Sequence, residues 1–305
     1  MLGRTDKLKI NEKLAGWGVE AASYCVASLS LAQQQTLAQW CGKAMAKLMR
    51  DRRRVTHKNL SLCFPELSEA DLNKLIEATF IANAIGVFES TKVWWRKSEV
   101  ISDRVRVEGK ENLERALAKG KGVLLLGGHF SVLDVAAPML AEVCDYGFMY
   151  RSNDNPIVDQ RIQYGREAYA DAAFSKRQVK DMIKYLRKGG VVWYACDQDF
   201  GRYSDVFASF FNVPVACVSM PSKIARRTGA EVLFISQCKS AEGNYILNVS
   251  DPAPAFGENE QKDAQWWNDC LEKSIKRYPE QYLWMHKRFK TRPPGVAAIY
   301  SRSRS

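Results

Sequence analysis

Two short stretches of this chain are apolar at every position, Val123-Leu124-Leu125-Leu126 and Val191-Val192-Trp193-Tyr194-Ala195. Unbroken apolar runs of that length are the mark of strands buried on both faces of a sheet, as parallel strands are. Between and after them the apolar positions recur at helical spacing. The pattern predicts helices over 111–118, 131–140, 155–169, 176–186, 221–227 and 263–276, and strands over 122–126, 147–150, 191–195, 231–237 and 245–249. Such alternation predicts an α/β fold, a mixed and mostly parallel sheet flanked by helices.

Upstream the spacing is helical throughout. Residues 11–49 form a helical pattern interrupted at Ser28-Leu29-Ser30. Ser68, with Asp71 three positions on, is an N-cap signature opening an apolar-rich helix through Ile76, Phe80, Ile85 and Phe88 toward Trp94-Trp95. Residues 14–31 are the most membrane-like stretch, but Glu20 and many Ala, Ser and Gly residues weaken them as a spanning helix. An interfacial helix fits better, and a helix packed on the domain fits as well. Arg50, Arg52, Arg53 and Arg54 follow, placed either to meet lipid phosphates or simply as a solvated helix end. The expected division is a helical, membrane-associating segment over 1–50, an α/β domain over 51–300 and a disordered Ser-Arg-Ser-Arg-Ser tail over 301–305.

Charge narrows the partners. The net charge of +11 over 305 residues draws anionic ligands, lipid surfaces and acidic proteins. No recognised nucleic-acid motif accompanies the basic clusters, so nucleic acid is not expected. The eight cysteines contain no C-x-x-C pairing and read as small buried hydrophobes in a reducing compartment. The first 13 residues are charged, and no secretory signal is expected.

Candidate chemistry sits where the first apolar run stops. Gly127-Gly128 lets the chain turn at a strand end, where α/β sheets bind ligands; His129 follows, then Asp134. Five steps of ~100° carry roughly 140° past a full turn, so the two would not share a helix face. They converge if His129 lies in the turn and Asp134 one turn into the following helix. Asp134 would then orient one ring nitrogen while the other takes a proton. A capping histidine with an Asp satisfying first-turn amides accounts for the residues equally well. The second run ends at Asp197-Gln198-Asp199, and both ends face one crevice if the strands are neighbours. Asp197 and Asp199 could hold a cation, though Asp at a strand-end turn is ordinarily structural; no clustered metal-ligand spacing appears, and no metal is expected. Arg151 ends a third strand and Arg166 lies on the helix after it, both suited to phosphate or carboxylate, with a surface salt bridge the alternative. Residues 287–292, including Arg288, are a basic run that could meet a substrate anion or simply solvent. No G-x-S-x-G elbow occurs, and Ser131 is poorly placed for activation by His129.

The H-x4-D pattern after a strand and glycines resembles the signature of the glycerolipid and lipid A acyltransferases. The resemblance to the bacterial lipid A biosynthesis lauroyl/myristoyl acyltransferases runs from about Arg52 to Tyr300. It is carried by Asn59-Leu60 with Leu62-Cys63-Phe64-Pro65-Glu66, by Gly128-His129-Phe130, and by Tyr150-Arg151-Ser152-Asn153-Asp154-Asn155-Pro156 with Gly165-Arg166. Val192-Trp193-Tyr194 leading to Asp197-Gln198-Asp199-Phe200-Gly201 and His286-Lys287-Arg288-Phe289-Lys290-Thr291-Arg292-Pro293 complete it. The chain departs from the family in Val132-Leu133-Asp134, where Asn-Trp-Glu is common, and in Gln198, where a second histidine is common. The resemblance implies a glycerolipid acyltransferase-like fold on the cytoplasmic face of a bacterial inner membrane. It implies transfer of a medium-length saturated acyl group, without a cofactor, from acyl carrier protein to a hydroxyacyl chain of an anionic glycolipid, the Kdo-lipid A precursor. His129 would be the general base and Asp134 its orienting acid. Arg151, Arg166, Asp197, Asp199 and Arg288 would bind substrate, with Arg166 and Asp197 matching positions where the family places functional residues. A lysophospholipid or another glycolipid is the rival acceptor, water a lesser one, and a non-catalytic membrane-binding protein the rival class. Under the resemblance, aromatics of the 68–95 helix would either form core or line an acyl-chain path.

Overall fold

Along one central strand, Leu124 and Leu126 pack into one hydrophobic core while Val123 and Leu125 pack into another. The computed structural model describes residues 9–97, 101 and 103–300. Its main sheet has seven strands in the order β1-β9-β8-β2-β5-β3-β4. These are β1 Val105–Glu108, β2 Val123–Gly127, β3 Gly147–Tyr150, β4 Ala172–Ser175, β5 Val191–Ala195, β8 Glu231–Lys239 and β9 Tyr245–Val249. Every pairing is parallel except β8 with β9, so the expected mixed, mostly parallel sheet is what forms. Because β2 is covered on both faces, none of its residues can be polar.

Helices α5 Lys110–Leu117, α6 Ala136–Ala141, α7 Pro156–Arg166, α8 Val179–Arg187, α9 Met220–Thr228 and α10 Glu260–Arg277 complete the α/β domain. A separate hairpin, β6 Val206–Phe210 and β7 Val213–Cys217, turns at Phe211-Asn212, both with positive φ (49° and 59°). Paired left-handed residues suit the two-residue turn that matches strand twist, and Asn is its usual signal.

Four helices precede the sheet: α1 Ile10–Ser28, α2 Leu31–Leu48, α3 Arg50–Cys63 and α4 Glu69–Trp94. The break at Ser28-Leu29-Ser30 lies where the pattern stops, with Ser30 and Gln33 forming a capping box on α2. Ser68 caps α4, its hydroxyl accepting from Asp71 N. Two-thirds of the way along α4, Gly86 faces the turn after β2: a Cβ there would lie 1.9 Å from Ser131 O. Only glycine lets the helix approach this closely, and α4 thereby walls the strand-end turn.

The outer surface of α1 and α2 is unusual. Ile10, Leu14, Trp17 and Tyr24 lie at helical spacing along α1 and are half or more exposed, as are Trp40 and Leu48 on α2. An outward apolar stripe is the reverse of a core-facing helix and suits an interface. Among the described residues, no helix is long and apolar enough to cross a membrane. The 301–305 tail lies outside the described residues.

Candidate active site

Strands β2 and β5 are adjacent and in register, Leu126 opposite Tyr194 and Gly127 opposite Ala195. Their carboxyl ends therefore release His129 and Asp197 side by side. The chain leaves β2 toward β3 and leaves β5 in the opposite direction toward β8, so the crevice opens at the switch in strand order.

His129 Nδ1 lies 2.6 Å from Asp197 Oδ1, and the backbone N–H of His129 donates to Asp197 Oδ2 at 2.8 Å. One carboxylate thus fixes both the ring and the turn carrying it. An Nδ1–H donating to Asp197 leaves Nε2 with its lone pair. A quarter of the His129 side chain remains open to the crevice, whereas Asp197 is buried. Burial works against a charged imidazole, but the Asp197 carboxylate outweighs it and raises the His129 pKa. The same contact holds the Asp197 pKa down to about 2 against the opposing effect of its burial. The buried Tyr282 hydroxyl also bears on Asp197; its own pKa is raised, first by burial.

A segment from the far end of the chain clamps the turn. Ser131 N donates to Gln281 O at 2.7 Å, Leu283 N to His129 O at 3.0 Å, and Phe130 forms an antiparallel bridge with Tyr282. Gln237 Nε2 donates to Gly128 O at 3.1 Å from β8.

Asp134 occupies a different place from the one its spacing suggests. Residues 131–135 are turn, and helix begins only at Ala136, so Asp134 does not stand one turn into a helix. Its Oδ1 pairs with Arg166 Nε and Nη2, both at 2.6 Å, and its Oδ2 accepts from Trp94 Nε1 at 2.8 Å. The histidine's orienting partner is therefore Asp197, and Asp134 instead holds Arg166 beside it. Both Asp134 and Arg166 act on the His129 charge, so the four residues form one electrostatic unit.

The other residues predicted to bind substrate have partners within the protein. Arg288 is 1% exposed and spends its guanidinium inside the protein, donating to Ala216 O at 2.8 Å, Asn268 Oδ1 at 3.3 Å and Cys217 Sγ. Asp199 is buried too, accepting from Thr291 N at 2.6 Å, Thr291 Oγ1 at 2.9 Å and Gly201 N at 2.8 Å. Both tie the 286–292 segment to the domain, with their polar groups committed to partners inside the fold. Arg151 is exposed and pairs loosely with Asp154 at 3.3 Å, the surface salt bridge that was its alternative.

His286, which carries part of the family resemblance but no predicted role, lies close to the site. Its Nε2 accepts from Asp199 N at 3.2 Å, and burial lowers its pKa to about 4, keeping it neutral. Asn59 Nδ2 holds this segment by donating to Trp284 O and His286 O, both at 2.7 Å. The neighbouring Cys196 is a poor nucleophile, since burial raises its thiol pKa well above the ordinary value. Among the described residues, no three of His, Cys, Asp and Glu converge as metal ligands would.

The arrangement suits taking a proton from a hydroxyl at Nε2 while Arg166 offers positive charge nearby. The family profile of bacterial lipid A biosynthesis acyltransferases matches residues 3–291. The chain is 36% identical to the lipid A biosynthesis lauroyltransferase of Escherichia coli over 85% of its length and 86% of the relative's. It is 32% identical to the palmitoleoyltransferase of the same pathway and organism, over 84% and 85%. A crystal structure of the 1-acyl-sn-glycerophosphate acyltransferase of Thermotoga maritima aligns with 83% of this chain and 99% of that one, at 13% identity and a TM-score of 0.39.

Proposed function

Because the chain belongs to the bacterial lipid A biosynthesis acyltransferase family, we propose that it carries out a late acylation of lipid A, with His129 as general base. The donor is a lauroyl or myristoyl thioester of acyl carrier protein, and the acceptor a hydroxyacyl chain of the Kdo-lipid A precursor. The observation that carries the mechanism is the His129–Asp197 contact, which engages Nδ1 and leaves Nε2 for the substrate on a ring still partly exposed. The acceptor hydroxyl gives its proton to Nε2 as its oxygen attacks the thioester carbonyl. Collapse of the tetrahedral intermediate breaks the carbon–sulfur bond, and the imidazolium returns the proton to the leaving thiolate. Asp197 keeps the ring in the useful tautomer and steadies its transient charge, as the acid of a triad does. No covalent intermediate on the enzyme is required, because a thioester already has a good leaving group.

Asp134 aims Arg166 at the charge that develops on the carbonyl oxygen or at an anion of the acceptor. The exposed stripe of α1 and α2 seats the enzyme on the cytoplasmic face of the inner membrane, with Arg50 to Arg54 meeting its anionic lipids. The acceptor's own chains reside in that layer, so seating brings the hydroxyl to the crevice.

The test is acyl transfer by the purified protein from lauroyl- and myristoyl-acyl carrier protein to a Kdo-lipid A precursor, read by mass spectrometry. Wild type is expected to add one acyl group, and His129→Ala to add none while retaining vesicle binding. An active His129→Ala enzyme would sink the mechanism; transfer to lysophospholipid alone would sink the assigned acceptor.

A further inference from the structure

At the end of α4 the chain does something costly. Arg96 has φ of 55°, in the left-handed region where glycine is usual and a long side chain is uncommon. The hydrogen bonds there are those of a Schellman ending: Lys97 N donates to Lys92 O at 2.6 Å and Arg96 N to Val93 O at 3.0 Å. Arg96 occupies the position that such an ending ordinarily gives to glycine. Strain of this sort persists where a side chain is needed, and it concentrates at ligand clamps.

The Arg96 side chain has a defined place. Its guanidinium carbon lies over the Tyr164 ring, 3.8 Å from the centroid, and Nη2 donates to Tyr164 O at 3.3 Å. Tyr164 is two residues before Arg166, and Trp94, which binds Asp134, is two residues before Arg96. The two backbones touch between them: a Cβ on Gly165 would lie 2.5 Å from Trp94 Cα. Arg96 and Arg166 are therefore carried by a single rigid joint, one to the outside and one to the crevice.

Charge separates Arg96 from its neighbours. Arg161, stacked 3.6 Å over Trp95, pairs with Glu20 at 2.6 Å, and Arg166 is held by Asp134. Among the described residues no carboxylate pairs with Arg96 or with Lys97, whose Nζ donates to Ser28 Oγ at 3.0 Å and lies 4.7 Å over the Tyr24 ring. Among the described residues these two cations thus stand together without a carboxylate, each over a half-exposed tyrosine, Tyr164 and Tyr24, with the apolar stripe of α1 alongside. With only Nη2 engaged by a backbone carbonyl among the described contacts, the planar guanidinium keeps further N–H donors for two-point contact with a phosphate.

We propose that Arg96, with Lys97 beside it, forms a subsite for a phosphate of the acceptor glycolipid's sugar headgroup. This rests on the acceptor reading given above. The subsite shares the Trp94–Gly165 joint with Arg166 and lies beside α1, which Lys97 touches at Tyr24 and Ser28. An acidic protein partner would need a broader field of cations than two residues beside exposed aromatic rings and an apolar stripe.

Arg96→Gly is the decisive variant, because it replaces the strained residue by the one the helix ending prefers. Loss of the guanidinium is expected to raise the KM for a phosphorylated Kdo-lipid A precursor about tenfold, the scale of one charge-assisted contact, with kcat held and the Tm unchanged or higher. With a dephosphorylated precursor, wild type and variant should have the same KM; Arg96→Lys should fall between. An unchanged KM, or a lowered Tm as the sole effect, would overturn the proposal and leave Arg96 as a strut between α4 and α7. A raised KM for the acyl carrier donor alone would mark a protein contact, and weaker binding to phosphatidylglycerol vesicles alone a membrane contact; either overturns it. Equilibrium binding of the phosphorylated precursor to both proteins separates the two readings: precursor bound through Arg96 but never acylated would refute the assigned reaction and retain the subsite.

Discussion

Asp197 Oδ1 stands 2.6 Å from His129 Nδ1 across 68 residues of sequence, whereas Asp134, five residues from the histidine, turns away to Arg166. The two acids have separable roles, one on the base and one on a cation, and separable consequences.

Asp197→Asn should lower kcat by about 10²–10⁴-fold, the scale of a misoriented general base. It should also move the acidic limb of the kcat/KM profile to lower pH. The Asp197 charge is what raises the His129 pKa, and without it burial favours the neutral ring. Asp134→Asn should move that limb less, its main effect being release of Arg166. A pH–rate series on both variants checks this; equal displacement would contradict the division of labour.

Replacing Arg288 should damage the fold rather than binding. Arg288→Ala orphans the carbonyl of Ala216 and the amide oxygen of Asn268 and leaves a void. About 3 kcal/mol of destabilisation is expected, from unmet buried acceptors and lost packing. Denaturant unfolding should show the loss, and the acceptor KM measured well below the Tm should not change.

The two site histidines should leave opposite marks on stability against pH. His286 is neutral in the fold, with its pKa lowered to about 4, so the unfolded chain binds more protons between its ordinary 6.5 and that value. Its contribution is complete above 6.5 and declines as pH falls toward about 4, by roughly 2–3 kcal/mol. His129, raised by Asp197, adds stability that is complete below 6.5 and is lost as pH rises through its folded value. Unfolding midpoints of His286→Gln should therefore vary less with pH than wild type between 6.5 and 4, with the alkaline side unaltered.

Trp17 and Trp40 are exposed on α1 and α2 and hold up nothing inside the fold. Trp17→Glu with Trp40→Glu should weaken binding to phosphatidylglycerol vesicles by about tenfold or more, since apolar burial and anionic attraction are both reduced. Sedimentation with vesicles measures this directly. Unaltered binding would move the membrane contact elsewhere.

Much of the fold was legible because its signals are local. The apolar runs at 123–126 and 191–195 are strands β2 and β5, and the Ser30 and Ser68 caps begin helices where the pattern places them. The β6–β7 hairpin was missed, although Asn212 in its turn and the apolar run 215–218 are recognisable signals, because Ser209 and Pro214 interrupt its strands on either side of the turn. At the site, His129 and Asp197 were visible as polar ends of buried strands. Their pairing was not, since it depends on strand order, which no local pattern encodes. Asp134 drew attention by proximity in sequence, and its orientation is decided by Trp94 and Arg166 from two other elements. His286 and Asn59 carry no local signal of their roles; only the long-range closure of the chain brings them together.

That closure has a consequence in time. The turn holding His129 is strapped by Gln281, Tyr282 and Leu283, and that strap is in turn held by Asn59. During synthesis the sheet's seven strands are all made before residue 281 exists. A chain still emerging from the ribosome thus carries every polar group of its base, Asp197 included, without the belt that aims it. Aiming of the base therefore waits until residues 281–283 have been made and have closed over the turn, well after both strands that carry His129 and Asp197.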